Sequence, residues 1–352
     1  MKIFLLVCLS LLLLSCKKID VDLRTNSAHF NEGKFNNSAP INTLTFWEIA
    51  RAGFNNDTKR AVWPEWVNTD EVTQELSTVT GDKIRISFIN HATFLIQTNG
   101  VNILTDPVFS DRASPVTFIG PKRAHKPAIA LANLPKIDVI IISHDHYDHL
   151  DLDSVHALVA RDNPKIYVGL GVGNHLSNAA NVRELDWGDS VQVTGNVTLW
   201  FLEVQHNSGR SLTDRNATLW GGYLLQLGNK QIYFGGDSGY GDHYKRTFEQ
   251  FGAVDVALLP IGAYAPRKLF QLVHLDPYQA VQAHQDLQAK LSIGMHYGTF
   301  QLTSEPRLEP LELLQHAKQS ANLAPNEFIT LELGQPLELE SQTECQLTGA
   351  IR

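Results

Sequence analysis

The heptapeptide Ser143-His144-Asp145-His146-Tyr147-Asp148-His149 puts four side chains able to bind a metal, His144, His146, Asp148 and His149, into six consecutive positions. Alternate residues leaving a strand point to the same side. His144 and His146 can therefore face one ion, while the turn that follows aims Asp148 and His149 at a second, neighbouring point. Zinc takes imidazole nitrogen and carboxylate oxygen in tetrahedral or five-coordinate geometry, and a catalytic site keeps one position for water. Three more donors are then needed from elsewhere in the chain. The candidates are His206 after Phe201 to Val204, Asp237 after Tyr233-Phe234-Gly235-Gly236, and His296 after Ile293-Gly294-Met295. All three sit at or just beyond the end of an apolar run, and the glycines beside the last two permit close backbone approach to a crowded centre. Asp106 and Asp145 read either as carboxylates that orient a ligating imidazole or as solvated, turn-capping acids. Tyr147 reads equally as packing or as chemistry. Isolated histidines are more simply hydrogen-bonded core or surface side chains, and His29, His125, His156, His175, His243, His284 and His316 are taken that way.

Elements must exist to hold these residues. Residues 137–142 form a short, almost wholly apolar, β-branched run directly before the heptapeptide, as expected of a strand buried on both faces. Residues 84–88 and 94–97 alternate, Asn99-Gly100 is a hairpin turn, and residues 101–104 answer it as a third strand. A helical pattern over 151–161 follows the heptapeptide. Short strands are expected at 165–168, 191–193, 199–204, 223–227 and 231–234, with a turn at Gly228-Asn229. Helices are expected at 243–251, 276–289 and 309–321, alternating with strands at 254–259, 291–295 and 328–333. Two strand groups, each with helices, predict an α/β fold in which two mixed β-sheets are sandwiched and covered by helices on both outer faces.

The chain has 352 residues, of which 43% are apolar and 19% charged, the composition of a folded globular protein. With 37 acidic against 29 basic residues and a formal charge of −8, it offers no basic surplus for a phosphate backbone, which argues against nucleic acid as a partner. Its three cysteines are Cys8, Cys16 and Cys345, too few and too badly placed for a disulfide framework or a thiolate zinc site. Lys2 precedes a run at 3–14 that is apolar but for Ser10, too short to span a bilayer but suited to a secretory signal. The ending Leu13-Leu14-Ser15-Cys16 resembles the lipobox of bacterial lipoproteins. It implies removal of residues 1–15 and a lipid on Cys16, anchoring an exported protein to a bacterial membrane on its periplasmic or surface side. An ordinary secretory signal with a cysteine at the cleavage site is the alternative. Residues 16–80 are polar and Asn-rich at first and read as a tether and N-terminal wrap, with the domain that carries the metal donors at 81–345.

The ligand pattern resembles the metallo-β-lactamase fold superfamily, an αββα four-layer sandwich whose H-x-H-x-D-H loop, later His, bridging Asp and final His hold two metals. The likeness extends to His91-Ala92-Thr93, to Leu104-Thr105-Asp106-Pro107-Val108-Phe109-Ser110 and to Gly120-Pro121-Lys122-Arg123. It continues in Phe234-Gly235-Gly236-Asp237-Ser238-Gly239-Tyr240, Pro260-Ile261-Gly262-Ala263-Tyr264 and His296-Tyr297-Gly298-Thr299-Phe300. Over residues 88–300 these segments resemble the N-acylphosphatidylethanolamine-hydrolysing phospholipase D family. The resemblance implies that His144, His146 and His206 hold one Zn2+, that Asp148, His149 and His296 hold the other, and that Asp237 bridges them. It also matches His274, in His274-Leu275-Asp276-Pro277, with a family histidine near the substrate phosphate. Asn207 and Ala265 depart from the family pattern, where an aromatic and an acidic residue are expected, and both bear on the shape of the pocket.

The implied activity is cleavage of N-acylphosphatidylethanolamine to N-acylethanolamine and phosphatidic acid by metal-hydroxide attack on phosphorus, with no Ser or Cys nucleophile. Asp148 is the nearest candidate to pass the leaving alcohol a proton, and His274 to neutralise developing charge. A membrane phospholipid is the expected substrate, and both a monomer and a homodimer are compatible with the sequence. The same donors also accept iron or manganese. Hydrolysis of another phosphodiester or a lactone is the alternative reaction, and a metal-binding surface lipoprotein without catalysis is the alternative of another class.

Overall fold

The computed structural model describes residues 23–39, 60–73 and 76–339, together with the backbone of a further strand, Cys345–Gln346. The expected signal, residues 1–15, and the expected lipid site Cys16 lie outside the described residues, as does much of the expected tether. No described helix is long and apolar enough to cross a membrane.

Two small strands, β1 (Phe30–Asn31) and β2 (Lys34–Phe35), pair with each other near the start. The first large sheet is built from β3 (Ile84–Asn90), β4 (Thr93–Thr98), β5 (Val101–Thr105), β6 (Val139–Ile141), β7 (Lys165–Gly169) and β8 (Val182–Leu185). The second comprises β9 (Ser190–Thr194), β10 (Val197–Leu202), β11 (Gly222–Leu227), β12 (Lys230–Phe234), β13 (Val256–Pro260), β14 (Leu291–Met295) and β15 (Phe328–Ile329). The chain then returns to the first sheet as β16 (Pro336–Leu339) and β17 (Cys345–Gln346), giving the order β17-β16-β3-β4-β5-β6-β7-β8. Both sheets are mixed in the same way. Strands β3 to β5 are antiparallel and β5 to β8 parallel, just as β9 to β12 are antiparallel and β12 to β15 parallel.

The period-2 alternation of strand side chains sorts the core into layers. Val139 and Ile141 join Ile84, Ile86, Phe94 and Ile96 against Phe201, Tyr223, Phe234 and Leu258 of the facing sheet. Ile140 and Ile142 point the other way, onto Val155 and Leu158 of α1 (Leu152–Asp162). On the far side, Leu224, Tyr233, Ala257 and Leu259 pack beneath α4 (Pro277–Asp286) and α5 (Glu309–Ser320), with Tyr244 from α2 (His243–Phe251). A short α3 (Arg267–Phe270) lies between β13 and α4. This is the expected αββα sandwich.

Some boundaries differ from the sequence reading. The strand expected at 328–333 is confined to Phe328–Ile329, because the chain there leaves the second sheet and crosses to the first, where the Gly334 amide donates to the Phe88 carbonyl at 2.8 Å. The helix expected over 276–289 stops at Asp286, before Gln288 turns into the left-handed region at φ 46°. Strands β8 and β16 are not signalled by the sequence. Parts of the early segment lie against the body: Phe35 is fully buried in the inter-sheet core, and backbone bonds join Ala61 to Ser304, Val67 to Ala124 and Val72 to Ala128.

Candidate metal centre

Strands β10, β12 and β14 run in one direction, and β5, β6 and β7 run parallel to one another. Ligands of open α/β sheets gather at the carboxyl ends of strands, and here the expected donors follow β6, β10, β12 and β14. Ser143 to His149 leaves β6 and closes one turn, with the His149 and Leu150 amides on the His146 carbonyl at 3.0 and 2.8 Å. Asp151 then caps α1 without bonding its amides. Its carboxylate instead accepts the Phe109 and Ser110 amides at 3.1 and 2.9 Å, fixing the loop after β5. At Gly236, φ is +54° and an added Cβ would lie 2.6 Å from the Ser143 side chain. At Gly262 it would lie 2.3 Å from the His296 carbonyl oxygen. Only glycine lets these strand ends close on the cluster.

All seven expected donors come together. His144, His146 and His206 form one group, Asp148, His149 and His296 belong to another, and Asp237 falls with His144 and His149 and again with His206 and His274. Within each group the donor atoms lie within 4.8 Å of one another. His296 Nε2 is 3.1 Å from His149 Nε2, 3.1 Å from Asp237 Oδ1 and 3.3 Å from Asp148 Oδ2. His149 Nε2 is 3.3 Å from Asp237 Oδ2 and 3.4 Å from Asp148 Oδ2. Tetrahedral donors about 2.0–2.1 Å from an ion are about 3.3 Å apart, so this set fits a zinc-sized cation. In the other group His146 Nδ1 faces His144 Nε2 at 2.8 Å and His206 Nε2 at 3.3 Å, with Asp237 Oδ2 3.8 Å from His206 Nε2. Asp237 Oδ1 has no hydrogen-bond donor although it is buried.

Outer contacts fix which nitrogen of each ring faces inward. His206 Nδ1 donates to the Val273 carbonyl at 2.9 Å, leaving Nε2 for the centre. His149 Nδ1 donates to Asp106 Oδ2 at 2.7 Å. The same oxygen accepts the Ser143 hydroxyl at 2.6 Å, and the Ser143 oxygen in turn accepts from His144 Nδ1 at 2.9 Å. Asp106 thus orients two imidazoles, one directly and one through Ser143. Asp145 does not: its carboxylate accepts the Gly209 amide at 2.7 Å and the Thr218 hydroxyl at 2.8 Å, with His175 at 3.4 Å, and holds the loop after β10. Tyr147 donates to the Arg210 carbonyl at 2.9 Å beneath the Arg210 guanidinium, a packing role.

Burial, reinforced by neighbouring imidazoles, holds His144 and His206 well below the usual histidine range, in the neutral form a metal requires. Burial alone would raise Asp148 and Asp237, but the charge of His149 beside the first and of His296 beside the second holds both carboxyls well below their usual range. Burial would likewise lower His149 and His296, yet Asp237 next to both lifts His149 well above its ordinary value and His296 to about 9. The carboxylates therefore draw positive charge into a buried cluster.

His274 stands at the rim, its Nδ1 3.7 Å from Asp237 Oδ2 with no hydrogen-bond partner, and burial lowers it to about 4. Arg267 holds the His274 carbonyl at 2.9 Å. Asn207 follows His206 and is half-buried, whereas Ala265 donates its amide to Glu305 at 3.1 Å. Two contributors have no role in the sequence reading, where His91 stands only within the family likeness. His91, buried in the Asp148 group, follows a strand end as the expected donors do, and that pattern was its available signal. Asn37 accepts the His206 amide at 3.1 Å and donates to the His206 carbonyl at 2.8 Å, a contact with no local signal.

Residues 101–297 match the family described as the beta-lactamase superfamily domain. The chain belongs to that superfamily. It is 39% identical over 264 residues to N-acyl-phosphatidylethanolamine-hydrolyzing phospholipase D 1 of Caenorhabditis elegans, across 71% of this chain and 74% of that protein. It is 41% identical over 244 residues to an uncharacterized protein of Mycobacterium tuberculosis, across 67% of this chain and 64% of the relative. A metallo hydrolase of Ignicoccus hospitalis shares the fold at a TM-score of 0.55 and 21% identity, covering 74% of this chain and 100% of its own. Superfamily, homology and donor set together make this chain a metal-dependent hydrolase.

Proposed function

We propose that the protein is a dinuclear zinc phosphodiesterase of phospholipase D type that cleaves N-acylphosphatidylethanolamine to N-acylethanolamine and phosphatidic acid. The observation that carries the dinuclear reading is the division of Asp237 between the two groups, with Oδ1 toward His296 and Oδ2 toward His149 and His206. The substrate rests on the likeness to the nematode enzyme. In this reading His144, His146 and His206 hold one ion, and Asp148, His149 and His296 the other. When bound, the pair supplies Lewis acidity, a lowered water pKa and charge opposite the attacking and leaving oxygens. Asp106 and Val273 hold the Nδ1 protons of His149 and His206, so Nε2 is the nitrogen each ring offers to an ion, and His274 at the rim would hydrogen-bond a phosphoryl oxygen. Asp148 would return a proton to the leaving alcohol. Lipid anchoring through Cys16 would hold this centre at the membrane that contains its substrate, and an acyl mass on Cys16 of the exported protein tests that part.

The deciding experiment is mass-spectrometric product analysis of the zinc-loaded protein on N-acylphosphatidylethanolamine and on plain phosphatidylethanolamine, with His146→Ala as control. Release of N-acylethanolamine by the parent alone is the expected result. An intact lipid in the presence of two bound ions would reject the substrate and turn the search to other phosphodiesters and lactones.

A further inference from the structure

We propose that His91 is a positioning residue that aims the Asp148 carboxylate at its ion and sets how tightly that ion is held, an inference that rests on the dinuclear reading above. His91 directly follows β3 and is 1% exposed. Its φ is 45°, a left-handed conformation that a non-glycine residue adopts only when its surroundings enforce it. Three bonds do so. The His91 amide donates to Thr299 Oγ1 at 3.0 Å, its carbonyl accepts the His296 amide at 2.8 Å, and its Nε2 meets Asp148 Oδ2 at 2.9 Å.

The proton positions follow from the network. His125 Nδ1 donates to the Lys126 carbonyl at 2.7 Å, so its Nε2 is an acceptor and takes the Thr299 hydroxyl proton at 3.0 Å. The Thr299 oxygen is then free to receive the His91 amide. Opposite an ionised carboxylate, His91 Nε2 carries the proton and donates. A protonated nitrogen cannot ligate, and the other ring nitrogen, Nδ1, is buried without a partner. Asp148, His149, His296 and Asp237 already complete four donors, so His91 acts on the centre through Asp148. One lone pair of Oδ2 takes the His91 proton, and another faces His149 and His296 at 3.4 and 3.3 Å. The ring is also held in place, 4.0 Å from the His296 ring and edge-on to Phe300.

His91→Phe keeps a ring of similar size against Phe300 but removes the donor, whereas His91→Gln offers an amide donor within comparable reach. The full chain, zinc-loaded, would be titrated against a competing chelator while bound zinc is counted by elemental analysis, with thermal melts reporting folding. The parent should hold two ions. H91F should hold one at parental affinity and the second roughly 10- to 100-fold more weakly, the usual cost of losing such an outer partner, and H91Q should restore most of the loss. H91F retaining both ions like the parent overturns the proposal, and so does H91Q as weak as H91F, which would make the effect one of packing. If H91F does not fold, His91→Asn decides, since Asn tolerates the left-handed backbone but is too short to reach Asp148: weakened retention supports the role and parental retention overturns it. A parent that never holds a second ion removes the dinuclear reading itself, and this inference with it, before any variant is compared.

Discussion

The seven donors come from two regions built in opposite ways. One loop, Ser143 to His149, delivers four of them in six residues, and its geometry is set by a single tight turn and by Asp106 beneath it. The other three, His206, Asp237 and His296, arrive one at a time from the ends of β10, β12 and β14, and sheet register alone makes them neighbours. A contiguous cluster depends on local conformation and on the carboxylate under it. A dispersed one depends on the whole sheet, so its members should be individually less forgiving.

The sharpest test of that contrast removes the donor shared by both groups. Asp237→Ala should release both ions and lower kcat/KM by on the order of 10³-fold or more, since Lewis-acid stabilisation is worth several kcal/mol. Elemental analysis beside steady-state kinetics measures both, and a variant that keeps one ion would show that the two regions are separable. Next in size is Asp106→Asn, which weakens the acceptor that orients His149 and, through Ser143, His144. Metal affinity should fall by roughly 10- to 100-fold with the fold intact, as chelator competition would reveal. Asp145→Asn, in the Ser143 to His149 loop, should leave metal affinity unchanged and cost about 1–3 kcal/mol of stability, because one of its buried partners, the Gly209 amide or the Thr218 hydroxyl, loses its acceptor. Urea unfolding of the zinc-loaded protein reads that, and an equal loss of metal by both variants would erase the distinction between the two carboxylates.

The smallest effect belongs to a region remote from the centre. Burial alone would raise the Asp255 carboxyl, but the Gln231 amide and the Lys290 ammonium hold it below its usual range. A depressed carboxyl contributes stability that is fully present above its unfolded pKa, about 3.9, and is lost as pH falls through the folded value. The stability gap between the parent and Asp255→Asn should therefore narrow in acid. Unfolding curves at neutral and acid pH check the sign, and a gap that widens in acid would contradict it.

These contrasts also mark what could be read from the chain alone. The dense heptapeptide and the apolar runs before His206, Asp237 and His296 marked all seven as candidates, and the strand and helix patterns gave the layered fold and most strands. Asp106 and Asp145 were indistinguishable by sequence because the difference is tertiary. The parallel pairing of β5 with β6 brings Asp106 under Ser143, whereas Asp145 turns toward Gly209 and Thr218. His91 shares the strand-end pattern, but its meaning depends on Asp148 and Thr299, far along the chain. Strand β16 was illegible for the same reason: it pairs with β3 across the whole length of the domain.

Asn37 closes both peptide groups of His206 across 169 positions of sequence, while Phe35, two residues earlier, fills the space between the sheets. Anyone trimming this enzyme to a minimal catalytic unit by cutting just before β3 would remove a plug from its interior and unfasten one of its donors in the same stroke. The smallest fragment worth expressing is continuous in space but not in sequence, and its first piece lies well upstream of every motif that advertises the chemistry.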